Sequence, residues 1–226
     1  MERIVVASCD RKPAYVHKCL QTLLADSEVA RVSVVVCGAS DPGYLRDWSD
    51  DERVEIVAPT SAEREASAAG DHEQKVVLTT SRCLRHGLGE DATVLFEDDA
   101  IVGKDWLGRA REAAALLQRD HGERFLLSLY SPYSLPKDMR VVPYHPSNYY
   151  GNVGLWLPPW AAKSLHECMV GPPPDAQHAN SDMRVKGWLR RTGTAAFAIS
   201  PSVANHVGDQ STKGYARNVR APSYLG

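Results

Sequence analysis

No apolar run in this chain is long enough to span a bilayer, and the opening residues Met1-Glu2-Arg3-Ile4 form neither a basic leader nor the apolar core of a signal peptide. A soluble, cytoplasmic protein without membrane insertion is the expectation. Cysteine is sparse and unpatterned: Cys9, Cys19, Cys37, Cys83 and Cys168 include no C-x-x-C pair, and their odd number argues against a closed disulfide framework. Cys9, Cys19 and Cys37 sit in or beside apolar runs, where a reduced thiol acts as a small hydrophobe. A Gly-rich phosphate loop is also missing after the first apolar run, and so is a basic amphipathic helix of the membrane-surface type.

What is present suits one α/β domain. The 226 residues are 43% hydrophobic and 24% charged, enough to bury one substantial core. Ile4 to Ala7 reads as a buried strand. Val16, Cys19, Leu20, Leu23 and Leu24 then recur at helical spacing after Pro13. Val32 to Cys37 and Val54 to Val57 read as further strands, the second closed by Pro59. Ser61 to Asp71 is either a loop or a short helix and stays unassigned. The segment from Glu73 carries Val76, Val77, Cys83 and Leu84 on a helical face, and Trp106, Leu107, Ala110, Ala113, Ala114 and Leu117 form a second apolar stripe. Such alternation predicts a mixed, mostly parallel sheet flanked by helices.

Within Val94 to Val102 three carboxylates, Glu97, Asp98 and Asp99, stand in a row between apolar runs. Adjacent carboxylates repel one another and are costly in low dielectric unless a cation compensates them. A strand that ends in a solvated acidic turn is the ordinary reading of such a triplet. Position favours a metal, because ligand sites of open α/β sheets lie at the carboxyl ends of strands. Oxygen donors select hard ions such as Mg²⁺ or Mn²⁺, which commonly share a site with substrate phosphate.

The triplet after an apolar strand resembles the D-x-D signature of GT-A glycosyltransferases. Three further segments resemble that family in order along most of the chain: Arg3 to Cys9 followed by Asp10-Arg11-Lys12-Pro13, Tyr149-Tyr150-Gly151-Asn152-Val153-Gly154, and the P-S-x-x-x-H-x-G segment of Pro201 to Gly208. The resemblance implies a nucleotide-sugar donor, most readily a UDP-sugar, and Mn²⁺ or Mg²⁺ held by Glu97, Asp99 and His206. It further implies donor contacts at Ser8, Asp10, Arg11, Lys75, Arg82, Asp98, Gly154, Lys213 and Arg217. Asp182, just before a helix, would be the catalytic base if the reaction inverts; capping of that helix by the run Asn180-Ser181-Asp182 is its competing role. Residues 1–100 would then form the nucleotide half and residues 101–226 the acceptor half with the C-terminal metal and diphosphate segment.

Charge is unevenly distributed. Residues 182–226 carry seven Lys or Arg against two Asp, a balance of +5, while the rest of the chain carries −7. A basic portion facing an acidic one suits a diphosphate leaving group, and the tail Lys213 to Arg220 mixes glycine, tyrosine and cations. The acceptor must offer a free hydroxyl. The leading specific acceptor is a 5-hydroxymethylpyrimidine in DNA, as in phage-type DNA glycosyltransferases, which requires a flipped base. The alternatives are a glycan or lipid-linked sugar acceptor, a nucleotidyltransferase, and a non-catalytic sugar-nucleotide-binding protein. No obligate protein partner is evident.

Overall fold

A β-branched run pairs best where both sheet faces are covered, and Val32–Val36, buried at every position, takes such a central place. A computed structural model describes residues 2–136, 139–149, 151–172, 180–207 and 220–224. The first four strands of its main sheet are β1 (Arg3–Ser8), β2 (Val32–Val36), β3 (Val54–Val57) and β4 (Thr93–Glu97). β5 (Ala100–Val102), β6 (Phe125–Ser128), β7 (Val141–Pro143), β8 (Gly154–Leu157), β9 (Ala195–Ile199) and β10 (Ala204–His206) follow. Eight of these form one sheet in the order β3-β2-β1-β4-β8-β6-β9-β7, and β5 pairs with β10 in a separate ribbon. The β3-β2-β1-β4 half is wholly parallel, so the carboxyl ends of β1, β2 and β4 share one edge. β8 runs antiparallel to β4 and to β6.

The helices are α1 (Val16–Leu24), α2 (Ser61–Ala69), α3 (His72–Gly87), α4 (Trp106–His121), α5 (Pro159–Val170) and α6 (Ser181–Thr192). The apolar stripes of α1 and α4 bury in one cluster with Val6, Val34 and Phe96. Those of α3, α5 and α6 bury in a second with Val5, Val35, Leu95 and Leu155. Helices on both faces of a mixed sheet are the predicted layers.

The unassigned Ser61 to Asp71 stretch is helical from Ser61. Thr60 Oγ1 accepts from Glu63 N while Glu63 returns a carboxylate to Thr60 N, a reciprocal cap. Glu63 also binds Arg85 (2.6 Å) and Arg82 (3.0 Å). Burial raises its carboxyl, yet the Thr60 amide and the two guanidinium groups outweigh this and hold it down at about 2. A carboxylate depressed from its ordinary value of 4.5 stabilises the fold above that value and loses the effect as pH falls toward 2. Glu63→Gln should therefore lower stability by about 1 kcal/mol at neutral pH. The gap to wild type should close between pH 4.5 and 2 in chemical denaturation, and a gap independent of pH would reject this account.

Several cations of the basic C-terminal portion are committed to structure. Arg184 donates Nη1 to the carbonyls of Cys168, Met169 and Gly171, closing the end of α5. Tyr130 and Tyr144 are buried, and Tyr144 packs between the rings of Tyr133 and Tyr149. Tyr133 is exposed.

Candidate active site

The triplet lies where β4 ends. Parallel pairing sets Ala7 of β1 beside Glu97, so the loop after β1 meets Asp98 and Asp99. Cys9 N (3.1 Å) and Ser8 Oγ (3.3 Å) donate to Asp98 Oδ2. Arg11 Nη2 binds Asp98 Oδ1 and also reaches Asp99 Oδ2 at 3.0 Å. Tyr44 donates to Ser8 Oγ, extending the network to the 3₁₀ turn Pro42–Trp48.

His206 arrives from the far end of the chain. β10 pairs antiparallel with β5, which directly follows the triplet, and the register places His206 opposite Ala100. Val207 N donates to Asp99 O, and His206 Nε2 stands 2.9 Å from Asp99 Oδ2. The imidazole also packs edge-on to the Tyr130 ring.

Glu97, Asp99 and His206 each offer a ligand atom, all within 4.8 Å of one another. Asp99 Oδ1 is buried with no hydrogen-bond partner among the described residues. An orphaned carboxylate oxygen in a cluster of two carboxylates and an imidazole fits a divalent ion of Mg²⁺ or Mn²⁺ type. The electrostatics agree. Burial, followed by the charges of Asp99, Asp182 and Asp98, pushes the Glu97 carboxyl well up. Burial also lifts Asp98 to about 6 against the pull of Arg11. Burial works on Asp99 as well, but the hydrogen bond and charge of His206, together with Arg11, hold that carboxyl below its ordinary range.

A cavity of about 600 Å³ opens over this edge. One end is walled by Ser8, Cys9, Cys37 and Ser40 at the ends of β1 and β2, with His72, Lys75 and Thr79 of α3 above. The other end is formed by Tyr149, Gly151 and Asn152 and by the first turns of α6, which supply Asp182 and Lys186. Asn180 caps that helix by accepting from Met183 N, so the capping role falls to Asn180 and leaves Asp182 on the cavity wall. A buried chain supports the helix end: Tyr149 Oη donates to Asn152 Oδ1 at 2.5 Å, and Asn152 Nδ2 donates to Ser181 Oγ at 3.2 Å.

Ser8, Asp10, Arg11, Lys75, Glu97, Asp98, Asp99, Asp182 and His206 thus line one cavity. Two expected donor contacts lie elsewhere. Arg82 is turned beneath α3, where its guanidinium donates to the carbonyls of Val36 and Ala58 and pairs with Glu63. Gly154 begins β8 against Phe96, where a Cβ would come within 2.9 Å of Phe96 Cε1, so its small size serves packing. Lys213 and Arg217 lie outside the described residues. Lys186 and Ser181 were missed by sequence reasoning, whereas Asn152 was expected within the Tyr149 to Gly154 segment. Lys186 stands four residues, about one helical turn, after Asp182, and that spacing was the only signal for it.

No protein-family model matches the sequence, and no curated protein matches it. Solved structures do. TarS 1-349 of S. aureus is 14% identical and superposes with a TM-score of 0.50, covering 87% of this chain and 58% of that one. A second S. aureus TarS structure is 15% identical with a TM-score of 0.54, covering 93% of this chain and 37% of that one. TarS 1-349 in complex with UDP is 11% identical with a TM-score of 0.51, covering 87% of this chain and 57% of that one. The chain spans 37% to 58% of the length of these structures. Its fold is the GT-A glycosyltransferase fold.

Proposed function

We propose that this protein is a metal-dependent glycosyltransferase that moves a sugar from a nucleotide-sugar donor to an acceptor hydroxyl. One observation carries the reading: Glu97, Asp99 and His206 converge at the carboxyl edge of the sheet's parallel half with Asp182 on the same cavity. The UDP in the complex of a TarS structure supports UDP as the nucleotide. Residues 1–100 then serve as the nucleotide half and the remainder as the acceptor half.

Glu97, Asp99 and His206 would hold the divalent ion, which when bound supplies charge neutralisation to the departing nucleoside diphosphate. The chain's own groups do the rest. Arg11, Lys75 and Lys186 present positive charge to the cavity, which favours a polyanionic donor and its leaving group. Lys75 and Lys186 have no salt-bridge partner among the described residues, so both charges are available to it. Ser8 and Asp10 line the nucleotide end. Asp182 takes the proton of the attacking acceptor hydroxyl in an inverting reaction. Asp182 lines the same cavity as Glu97 and its charge acts on that carboxyl, which supports Asp182 as the base.

His206→Ala should weaken Mn²⁺ binding about tenfold or more, since one of three protein ligands is lost. Calorimetric titration checks this, and an unchanged affinity would make His206 a structural residue of the ribbon.

The function is tested by incubating the protein with a panel of nucleotide sugars, with Mn²⁺ and with chelator, and measuring release of nucleoside diphosphate. Chelator-sensitive release from one donor supports the assignment; none from any donor rejects it. The acceptor panel then contains glycans, unmodified DNA, and DNA with hydroxymethylcytosine or hydroxymethyluracil, followed by nucleoside mass analysis. A sugar-sized gain on a hydroxymethylated base alone establishes the DNA acceptor, and a gain on a glycan alone removes it.

A further inference from the structure

Three neighbouring carboxylates and Asp182 crowd one buried edge, yet the basic side chains that touch the triplet among the described residues are Arg11 and His206. Arg11 is the permanent one, since guanidinium stays charged at any pH a protein experiences. A single atom, Nη2, makes both of its carboxylate contacts, while Nε is buried with no hydrogen-bond partner among the described residues. The guanidinium lies over the Tyr15 ring, 4.8 Å from its centroid, and lines the same cavity as the metal ligands.

Asp98 is satisfied without any metal, through Cys9 N, Ser8 Oγ and Arg11. Asp99 differs: its Oδ2 is shared by Arg11 and His206, and its Oδ1 is orphaned. A divalent ion taken up by this cluster shares the Asp99 carboxylate with Arg11, entering at the orphaned Oδ1 or replacing the guanidinium at Oδ2, while the Asp98 contact can persist as a pivot.

We infer that Arg11 is a built-in countercation that stabilises the metal-free cluster and competes with the divalent ion for Asp99. On its release from Asp99 by the metal, it turns its free guanidinium edge to the donor's diphosphate. This rests on the metal-and-donor reading above and adds a direction to it. The arginine opposes the metal when alone and assists the diphosphate once the metal is in place. Metal and nucleotide would thereby be coupled through one side chain.

The test compares wild type, Arg11→Gln and Arg11→Lys on the full chain, with Mn²⁺ alone and then UDP as the titrants. A divalent ion in this cluster and the guanidinium repel one another, so Arg11→Gln should bind Mn²⁺ about tenfold more tightly than wild type. Arg11→Lys, which keeps the charge, should stay near wild type. UDP should bind the Mn²⁺-loaded glutamine variant about tenfold more weakly than loaded wild type. In chelator the glutamine variant should melt earlier than wild type, and saturating Mn²⁺ should restore its midpoint.

Equal or weaker Mn²⁺ binding by a folded Arg11→Gln overturns the inference while leaving the metal site standing. If wild type itself binds no Mn²⁺, the metal reading fails first and the inference with it. Should the glutamine variant be unfolded in chelator and folded in Mn²⁺, the countercation role is supported in its strongest form. A variant unfolded in both overturns it, since Arg11 would then hold more than the carboxylates.

Discussion

Asp99→Asn is expected to fold normally and to lose sugar transfer by about three orders of magnitude, the scale of several kcal/mol of charge stabilisation contributed by a bound metal. The substitution keeps the volume and removes one of four crowded negative charges. Relief of repulsion from Glu97 and Asp98 offsets the lost pairing with Arg11 and His206, so the metal-free melting temperature should move by only a few degrees. Activity and stability should therefore diverge. Turnover with saturating Mn²⁺ and donor, measured beside thermal unfolding in chelator, decides the point. Near-native turnover would remove Asp99 from the metal site.

The second large effect falls on Asp182. Asp182→Asn keeps the shape of the first turn of α6, and the Asn180 cap and the Asn152–Ser181 hydrogen bond remain to hold that helix end. A carboxylate near a helix N-terminus interacts favourably with the dipole, so its neutralisation costs about 0.5 kcal/mol of stability. The proposed general base, however, is gone, and kcat for transfer should fall by about 10² to 10⁴. Affinities for Mn²⁺ and UDP should stay within a few-fold of wild type, because the proposed role of Asp182 is toward the acceptor. A variant with wild-type kcat would move the base elsewhere, or indicate a reaction that retains configuration.

The two assignments were legible to different degrees. Short-range patterns carry strands and helices, since a period of two or of 3.6 is written in neighbouring residues. Val16 to Leu24 and the α4 stripe were visible in this way. The α2 helix was not, because Ala, Ser and Glu give no apolar face, and its reciprocal Thr60–Glu63 cap spans only the first turn. Gly154 was read as a donor contact because its glycine stands in a pocket-like segment. Gly154 opens β8 and packs against Phe96, while Asn152, two residues before the strand begins, reaches the cavity.

From its sequence alone this protein was determined to be an α/β chain with a strand that ends in three carboxylates. Local pattern and the cost of adjacent like charges depend on neighbours in the chain. Only the tertiary structure decided which charges compensate which. His206 reaches Asp99 because β10 pairs with β5 across more than a hundred residues, and Arg11 reaches it because parallel pairing sets Ala7 beside Glu97. Arg82, Arg184 and Lys186 look alike in the sequence. One is spent on strand carbonyls, one on the end of α5, and one lines the cavity. An arginine or lysine side chain is long and its partners are set by packing, so its role is a property of the fold.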